Sequence, residues 1–266
     1  MNPISRSLLF VPGDRPERFD KAAASGAHEI LIDLEDAVGP AAKAQARIST
    51  SDWLAQGNLA GVRINAADTA WFEDDLHMLR EHPAAKVMLA KADAESLREV
   101  VRQLPGHQVI ALVETVRGFM ELRQLAAVPG LLRIAFGSVD FGVDSGIADE
   151  ADAMTAVRTQ IVLESRYAGL QTPVDGVSVN FRDEDLMRCD ALRSRQLGFG
   201  GKLCIHPKQV AIVNDAYRPT PDQLAWAERV LTAFDQSGGG AISIDGKMVD
   251  KPVVEQARQM VAEAAR

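Results

Sequence analysis

Apolar residues in this chain fall in short runs, each closed by one or two polar residues and followed by a stretch with helical spacing. The clearest case is Gln108–Phe119, QVIALVETVRGF: Val109–Val113 reads as a buried strand, Glu114 stands at its exit, and Arg117-Gly118-Phe119 opens a helix. The same pattern predicts strands over Ser7–Val11, Glu29–Leu34, Gly61–Ile64, Lys86–Ala90, Leu131–Phe136, Asp175–Asn180 and Lys202–Ile205. Helices are expected after Pro12-Gly13 with Asp14 as cap, after Gly39-Pro40, and over Ala70–Arg80, Ala94–Gln103, Met154–Ala168 and Asp183–Gln196. Val143–Ala151 reads as a long connection. Strands alternating with helices imply parallel pairing through crossovers. Eight such units make an α/β chain whose sheet closes into a (β/α)8 barrel, in preference to an open doubly wound sheet, and no GxGxxG follows the first strand.

The last fifth breaks the alternation. Pro219-Thr220-Pro221 ends the barrel and a helix is expected over Asp222–Gln236. Ser237–Gly240 reads as a flexible joint, and Ala241–Ile244 and Lys247–Val249 flank the hairpin turn Asp245-Gly246. A final helix is expected over Val253–Ala265. The barrel is therefore assigned to residues 1–218 and a helix–hairpin–helix extension to 219–266. Such an extension needs a surface, either its own barrel mouth or a neighbouring subunit.

The 266 residues suit an eight-fold barrel, typically about 250 residues. A net charge of -8 argues against a nucleic-acid partner, so an anionic substrate would need a local basic patch. No apolar run approaches the ~20 residues of a membrane span, and MNPISRSLLFVPG makes a poor signal peptide. Cys189 and Cys204 fit neither a zinc pair nor a redox CxxC and read as buried thiols of a cytoplasmic protein.

A barrel of this kind gathers function at the C-terminal ends of its strands. Those exits carry Asp14-Arg15, Glu35-Asp36, Arg63 and Asn65, Lys91, Glu114, Asp140, Asn180 and His206. Glu114 and Asp140 follow neighbouring strands without a His or Cys cluster, a donor set for Mg²⁺ rather than a softer metal. The competing reading is a buried salt bridge from Glu114 to Arg63 or Lys91. Glu35 and Asp36 must diverge, since side chains alternate along a strand; one can orient a metal-bound water while the other caps the second helix. Asp33 turns into the barrel or pairs with a cation. Arg63 offers a rigid fork for a carboxylate or an enolate oxygen, or a pair with Glu35. Lys91 has the chemistry of a Schiff-base nucleophile, but nearby carboxylates would keep it protonated. His206 before Pro207 reads as a hydrogen-bonded structural histidine ahead of a base.

With these residues in place, the chain resembles the citrate lyase β-subunit-like family, which includes malyl-CoA and citramalyl-CoA lyases. The resemblance rests on Arg6–Gly13 (RSLLFVPG), Leu31–Val38 (LIDLEDAV), Val62–Asn65 (VRIN), Val113–Thr115 (VET), Gly137–Asp140 and Asp245–Asp250 (DGKMVD), in order along nearly the whole chain. It implies a TIM barrel assembled as a homotrimer or hexamer, Mg²⁺ held by Glu114 and Asp140, and Arg63, Glu114 and Lys91 at the substrate. It also implies Glu35 and Asp36 near the metal's waters, and Asp250 delivered to a neighbour's site as general acid/base. Val139 departs from the pattern, since many relatives carry Glu there. The implied reaction is Mg²⁺-dependent retro-Claisen cleavage of a 3-hydroxyacyl-CoA of malyl, citramalyl or citryl type to acetyl-CoA and an oxo acid. Lys43, Arg47, Arg15 and Arg18 are the candidate contacts for the CoA phosphates. Other activities stay open at this level: a metal-dependent aldolase acting without CoA, a citrate lyase β subunit with partner subunits, a malyl-type CoA thioesterase, or a non-catalytic acyl-CoA-binding subunit.

Overall fold

In a computed structural model, which describes residues 5–150, 152–237, 242–244 and 246–264, the apolar runs pair in chain order. Strands β1 (Ser7–Pro12), β2 (Glu29–Asp33), β3 (Gly61–Ile64), β4 (Lys86–Leu89), β5 (Val109–Val113), β6 (Leu131–Phe136), β7 (Val174–Asp175) and β8 (Gly201–Cys204) form a closed parallel barrel. β8 returns to pair with β1 through Ser7 and Lys202. Leu8, Leu31, Met88, Ile110, Leu112, Ala135, Val174 and Leu203 join most of the strands in one buried cluster, as the inward layers of a filled barrel do. Register sets the mouth: Asp33 lies beside Arg63 across β2 and β3, and Val113 beside Phe136 across β5 and β6. The residues that follow each pair therefore emerge at one level.

The crossovers are α1 (Phe19–Ala23), α2 (Lys43–Ala55), α3 (Phe72–Arg80), α4 (Ala94–Gln103), α5 (Val116–Met120), α6 (Leu122–Ala126), α7 (Ser138–Ser145), α8 (Thr155–Tyr167) and α9 (Glu184–Leu197), with α10 (Lys208–Ala216) after β8. Their starts follow capping chemistry: Asp93 and Ser96 form a reciprocal capping box at α4, and the side chains of Thr115 and Asp183 cap α5 and α9.

Three expectations are corrected and one helix is added. Asp14 caps no helix, because the chain first makes a single 3₁₀ turn over Pro16–Arg18 whose start carries no side-chain cap. The stretch expected as a connection begins inside α7, which runs to Ser145 and ends where Gly146 takes the left-handed conformation at φ 73°. β7 is only two residues long, because beyond it the Ser178 carbonyl accepts from the Gln209 side chain (2.8 Å) instead of a neighbouring strand. α10 was not anticipated; Val210, Val213 and Ala216 give it a buried face.

The chain divides into two compact units, Ile4–Asn214 and, at the C-terminal end, Asp215–Arg266. The second opens with α11 (Pro221–Gln236), which has Thr220 and Gln223 as a capping box and Pro221 in its first turn. β9 (Ile242–Ile244) and β10 (Lys247–Val249) pair antiparallel, and α12 (Lys251–Ala264) follows. Ala227, Val230, Val249, Val254 and Ala257 give this unit a core of its own, so the hairpin packs on α11 and α12. Gly238–Gly240 of the expected joint and Asp245 of the expected turn lie outside the described residues. Among the described residues no helix is long and apolar enough to cross a membrane.

Candidate active site

A cavity of about 440 Å³ opens where the strands of the barrel end, lined by Asp33, Arg63, Glu114 and Asp140 among others. The sequence placed Arg63, Glu114 and Asp140 at strand exits and Asp33 inside the barrel or against a cation; the fold brings all four to one space.

Arg63 is the fixed point. Asp33 Oδ1 accepts from its Nε at 2.7 Å and Oδ2 from Nη2 at 2.5 Å, while Nη1 lies 3.0 Å from Glu35 Oε2. The Phe10 ring lies 4.8 Å from its Cζ. Burial works against the guanidinium charge, but Asp33, Glu35 and Glu114 outweigh it and hold Arg63 more firmly protonated than usual. Asp33 takes the cation-pairing role expected for it, and it also accepts the Glu35 and Ala37 backbone N–H groups, shaping the loop after β2.

Glu35 and Asp36 diverge as the alternation required: Glu35 is buried and Asp36 exposed. Neither caps α2, which is entered through a 3₁₀ turn over Pro40–Ala42 without a side-chain cap. The loop is held by Lys43, whose Nζ donates to the carbonyls of Leu34 and Glu35 at 2.7 Å and to Asn65 Oδ1 at 2.6 Å. Burial lowers the ordinary basicity of this ammonium. Lys43 is thus an internal pin across the exits of β2 and β3 and is not available to a CoA phosphate. Arg47 is likewise occupied, by Asp74 at 2.8 Å and Asp75 at 3.2 Å. Arg15 and Arg18 remain exposed.

Lys91 adopts a left-handed backbone, φ 48°, a conformation that costs a non-glycine residue roughly 1 kcal/mol or more. The strain has a local use: it turns the Lys91 N–H onto Glu114 Oε1 at 2.8 Å. Its Nζ is hydrogen-bonded to Glu35 Oε1 and lies 4.0 Å from Asp36 Oδ2. Burial opposes the charge most strongly, but Glu35, Glu114 and Asp36 together outweigh it and raise its pKa, so Lys91 stays protonated and unsuited to a Schiff base. It borders a neighbouring cleft with Asp93, Thr115 and Arg117 rather than the cavity that holds Glu114.

Glu114 is 1% exposed, and among the described residues no cation comes within 4.0 Å of its carboxylate. The buried salt bridge weighed from sequence is not formed. Burial pushes its carboxyl up to about 8; Arg63 pulls the other way, and Glu35 and Asp140 push it higher again. Gly137 makes the placement possible, since a Cβ there would sit 2.4 Å from Glu114 Cβ and 2.5 Å from Oε2. Asp140 lies in the first turn of α7.

No group of three or more His, Cys, Asp or Glu with metal-holding geometry occurs among the described residues. Two carboxylates do suit Mg²⁺, which keeps waters and takes substrate oxygens in its remaining positions. A buried carboxyl kept neutral for want of a cation, beside a second carboxylate in the same cavity, fits that ion.

Other predicted residues stand apart. His206 accepts the Lys208 N–H at Nδ1 (3.1 Å) and stacks on Phe181 at 4.7 Å, a structural role. Asn180 is exposed and accepts from the Arg182 N–H. Asp250 belongs to the second unit, where it precedes α12 and its Oδ1 lies 3.5 Å from the Val253 nitrogen. Cys204 is buried and its thiol is pushed up to about 12 by burial, whereas Cys189, expected inside, is exposed on α9. Ser138 escaped the sequence reading: it lines the cavity, and its Oγ is buried without a hydrogen-bond partner. A serine after a glycine carries no signal until Gly176 is seen packed against it.

The fold and the mouth together define a (β/α)8 barrel with an acidic, arginine-clamped site. Residues 6–207 match the family model described as HpcH/HpaI aldolase/citrate lyase, and the chain belongs to that family. It is 39% identical over 263 residues to a citrate lyase subunit beta-like protein of Mycobacterium tuberculosis, covering 96% of this chain and 94% of the relative. It is 34% identical over 274 residues to a (3S)-malyl-CoA thioesterase of Cereibacter sphaeroides, covering 97% and 94%. Among solved structures, CitE from Mycobacterium tuberculosis in complex with magnesium, acetoacetate and coenzyme A superposes with a TM-score of 0.87 at 36% identity, covering 98% of both chains.

Proposed function

We propose that this protein is a Mg²⁺-dependent lyase that cleaves the carbon–carbon bond of a 3-hydroxyacyl-CoA, releasing acetyl-CoA and a 2-oxo acid. The observation that carries the reading is the meeting of Glu114, Asp140 and the clamped Arg63 in one cavity at the barrel mouth. Family membership and the solved relative with magnesium and coenzyme A support it. Glu114 and Asp140 would hold the ion, which when bound supplies Lewis-acid polarisation of the oxo-acid oxygens and a template for them.

The remaining chemistry falls to the chain. The hydroxyl proton of the substrate passes to the water that Glu35 and Asp36 orient as its C–O bond becomes a carbonyl, and the electron pair of the broken C–C bond passes to the acetyl fragment as a thioester enolate. Arg63, fixed beforehand by Asp33 and Glu35, stabilises negative charge on that enolate oxygen without reorganising. Glu35, itself held by Lys91, and Asp36 orient water at the site's edge. Asp250 donates the proton that turns the enolate into acetyl-CoA; it reaches the site from a neighbouring subunit, which requires a homo-oligomer, a trimer or hexamer. A cytoplasmic setting suits the free thiols Cys189 and Cys204.

Incubation with malyl-, citramalyl- and citryl-CoA should release acetyl-CoA and a stoichiometric oxo acid from at least one of them with Mg²⁺ and none with chelator. No cleavage of any thioester would remove the reading. A second activity, hydrolysis of a malyl-type thioester, is favoured by the name of the Cereibacter relative. Free CoA thiol in place of acetyl-CoA would mark it.

Glu114 also sets a pH dependence. Its folded pKa, about 8 against an ordinary 4.5, means the metal-free protein holds a proton there at neutral pH. Binding of Mg²⁺ should therefore release a proton, and affinity should climb by at most about tenfold per pH unit until pH 8 and then level. Calorimetry in buffers of different ionisation enthalpy reads the proton. The sign for stability is opposite: between pH 4.5 and 8 the folded state keeps a proton that the unfolded chain has lost, so Glu114's contribution to metal-free stability falls as pH rises through that window.

A further inference from the structure

Among the described residues Lys91 is the one non-glycine residue with a left-handed backbone. Lysine has no intrinsic preference for that conformation, which glycine or asparagine occupies at lower cost. Three residues, Ala90–Ala92, separate β4 from the Asp93 cap of α4, and both alanines are buried. The turn is held from two sides. The Ala92 N–H donates to the Leu112 carbonyl of β5 at 3.0 Å, and a Cβ on Gly118 would lie 2.3 Å from the Ala92 oxygen. Strain that its surroundings over-determine in this way gathers at functional sites.

Two atoms of Lys91 reach the site by separate routes. The backbone N–H occupies Oε1 of Glu114, which leaves Oε2 for an ion. The ammonium takes Oε1 of Glu35, whose Oε2 lies 3.0 Å from Arg63 Nη1. Glu35 is thereby shared, one oxygen to each cation, and Arg63 keeps Nε and Nη2 on Asp33. Lys91 borders the neighbouring cleft and does not line the cavity, so its ammonium acts through Glu35 and not on substrate.

We infer that Lys91 is a positioning residue with two separable roles: its strained main chain aims the metal ligand Glu114, and its ammonium fixes Arg63 by way of Glu35. The second role rests on the lyase reading above for its effect on turnover; the first needs only the metal. Without the ammonium, Glu35 turns both oxygens to Arg63 and competes with Asp33 for the guanidinium, which leaves the orientation that meets the enolate. The Glu114 contact survives that loss, because the N–H belongs to the backbone.

The test compares Lys91→Gly with Lys91→Val in the full-length protein. Both remove the ammonium, but glycine keeps the left-handed turn and a β-branched residue does not. Mg²⁺ affinity by calorimetry is expected within about threefold of wild type in Lys91→Gly and lower by about tenfold or more in Lys91→Val. Lys91→Ala, with a single Cβ, should lose affinity in the same direction, and serves should Lys91→Val fold poorly. Equal affinities in the glycine variant and the Cβ-bearing variant overturn the main-chain role.

For turnover, Lys91→Gly should lower kcat by about 10–100-fold with KM little changed and the melting temperature within a few degrees of wild type. Lys91→Arg, which restores a cation to Glu35, should recover most of that loss. A merely structural lysine would instead move kcat, Mg²⁺ affinity and melting temperature together. Wild-type kcat in Lys91→Gly overturns the ammonium role. If wild type itself cleaves no thioester, the lyase reading fails, and the Mg²⁺ comparison still decides the first role. A crystal structure of Lys91→Gly then decides the second: Arg63 turned toward Glu35 is expected, and an unmoved Arg63 overturns it.

Discussion

Replacing Glu114 with glutamine is expected to lower turnover by about a thousandfold or more while leaving the fold intact. The two halves of this outcome have one cause. Burial keeps the Glu114 carboxyl neutral at pH 7 without a cation, so glutamine matches the metal-free state in charge and shape. Its side-chain oxygen can still accept the Lys91 N–H, and the close approach of Gly137 is undisturbed. The melting temperature of the metal-free protein should therefore move by no more than a few degrees. An amide is a poor replacement for an anionic oxygen ligand, so Mg²⁺ affinity and activity should fall together. Asp140→Asn should behave the same way. Wild-type Mg²⁺ affinity in Glu114→Gln, measured by calorimetry, would place the ion elsewhere.

Asp250→Asn should leave folding, Mg²⁺ affinity and substrate KM close to wild type and reduce kcat by about 10²–10⁴-fold. Folding is spared because Asn caps a helix as well as Asp, and the contact from Asp250 to Val253 is long at 3.5 Å. Only the proton donation proposed for Asp250 is removed. The delivery by a neighbour proposed above has its own signature. Mixed oligomers of Asp250→Asn and Glu114→Gln should regain part of the activity, because some sites then combine an intact Glu114 with a partner's intact aspartate. Absence of any recovery after confirmed subunit exchange would place Asp250 in its own subunit's site or outside the mechanism.

The strand count and the ring of polar exits were legible in the sequence because both depend on local pattern. β6 and α4 lie where periodicity puts them, and Asp93 caps α4. The corrections come from long-range contacts. Lys43 looks like a solvated cation on an amphipathic helix, and only the folded chain brings two carbonyls and Asn65 onto its ammonium. β7 reads as a long strand until the Gln209 side chain claims the Ser178 carbonyl. Cys189 was judged by the habits of cysteine, but it sits on the outward face of α9. Glu114 marks the boundary between the two kinds of information. Its place at a strand exit is local, whereas its lack of a partner cation, the strongest pointer to a metal, depends on how Arg63 is shared between Asp33 and Glu35.

The most direct measurement is a crystal structure of the protein soaked with Mn²⁺, an ion that accepts the same oxygen-rich octahedral sites as Mg²⁺ and is located by its anomalous signal. A single strong peak within about 2.0–2.3 Å of carboxylate oxygens from both Glu114 and Asp140 is the expected result. A peak elsewhere in the barrel, or none at saturating Mn²⁺, would contradict the account.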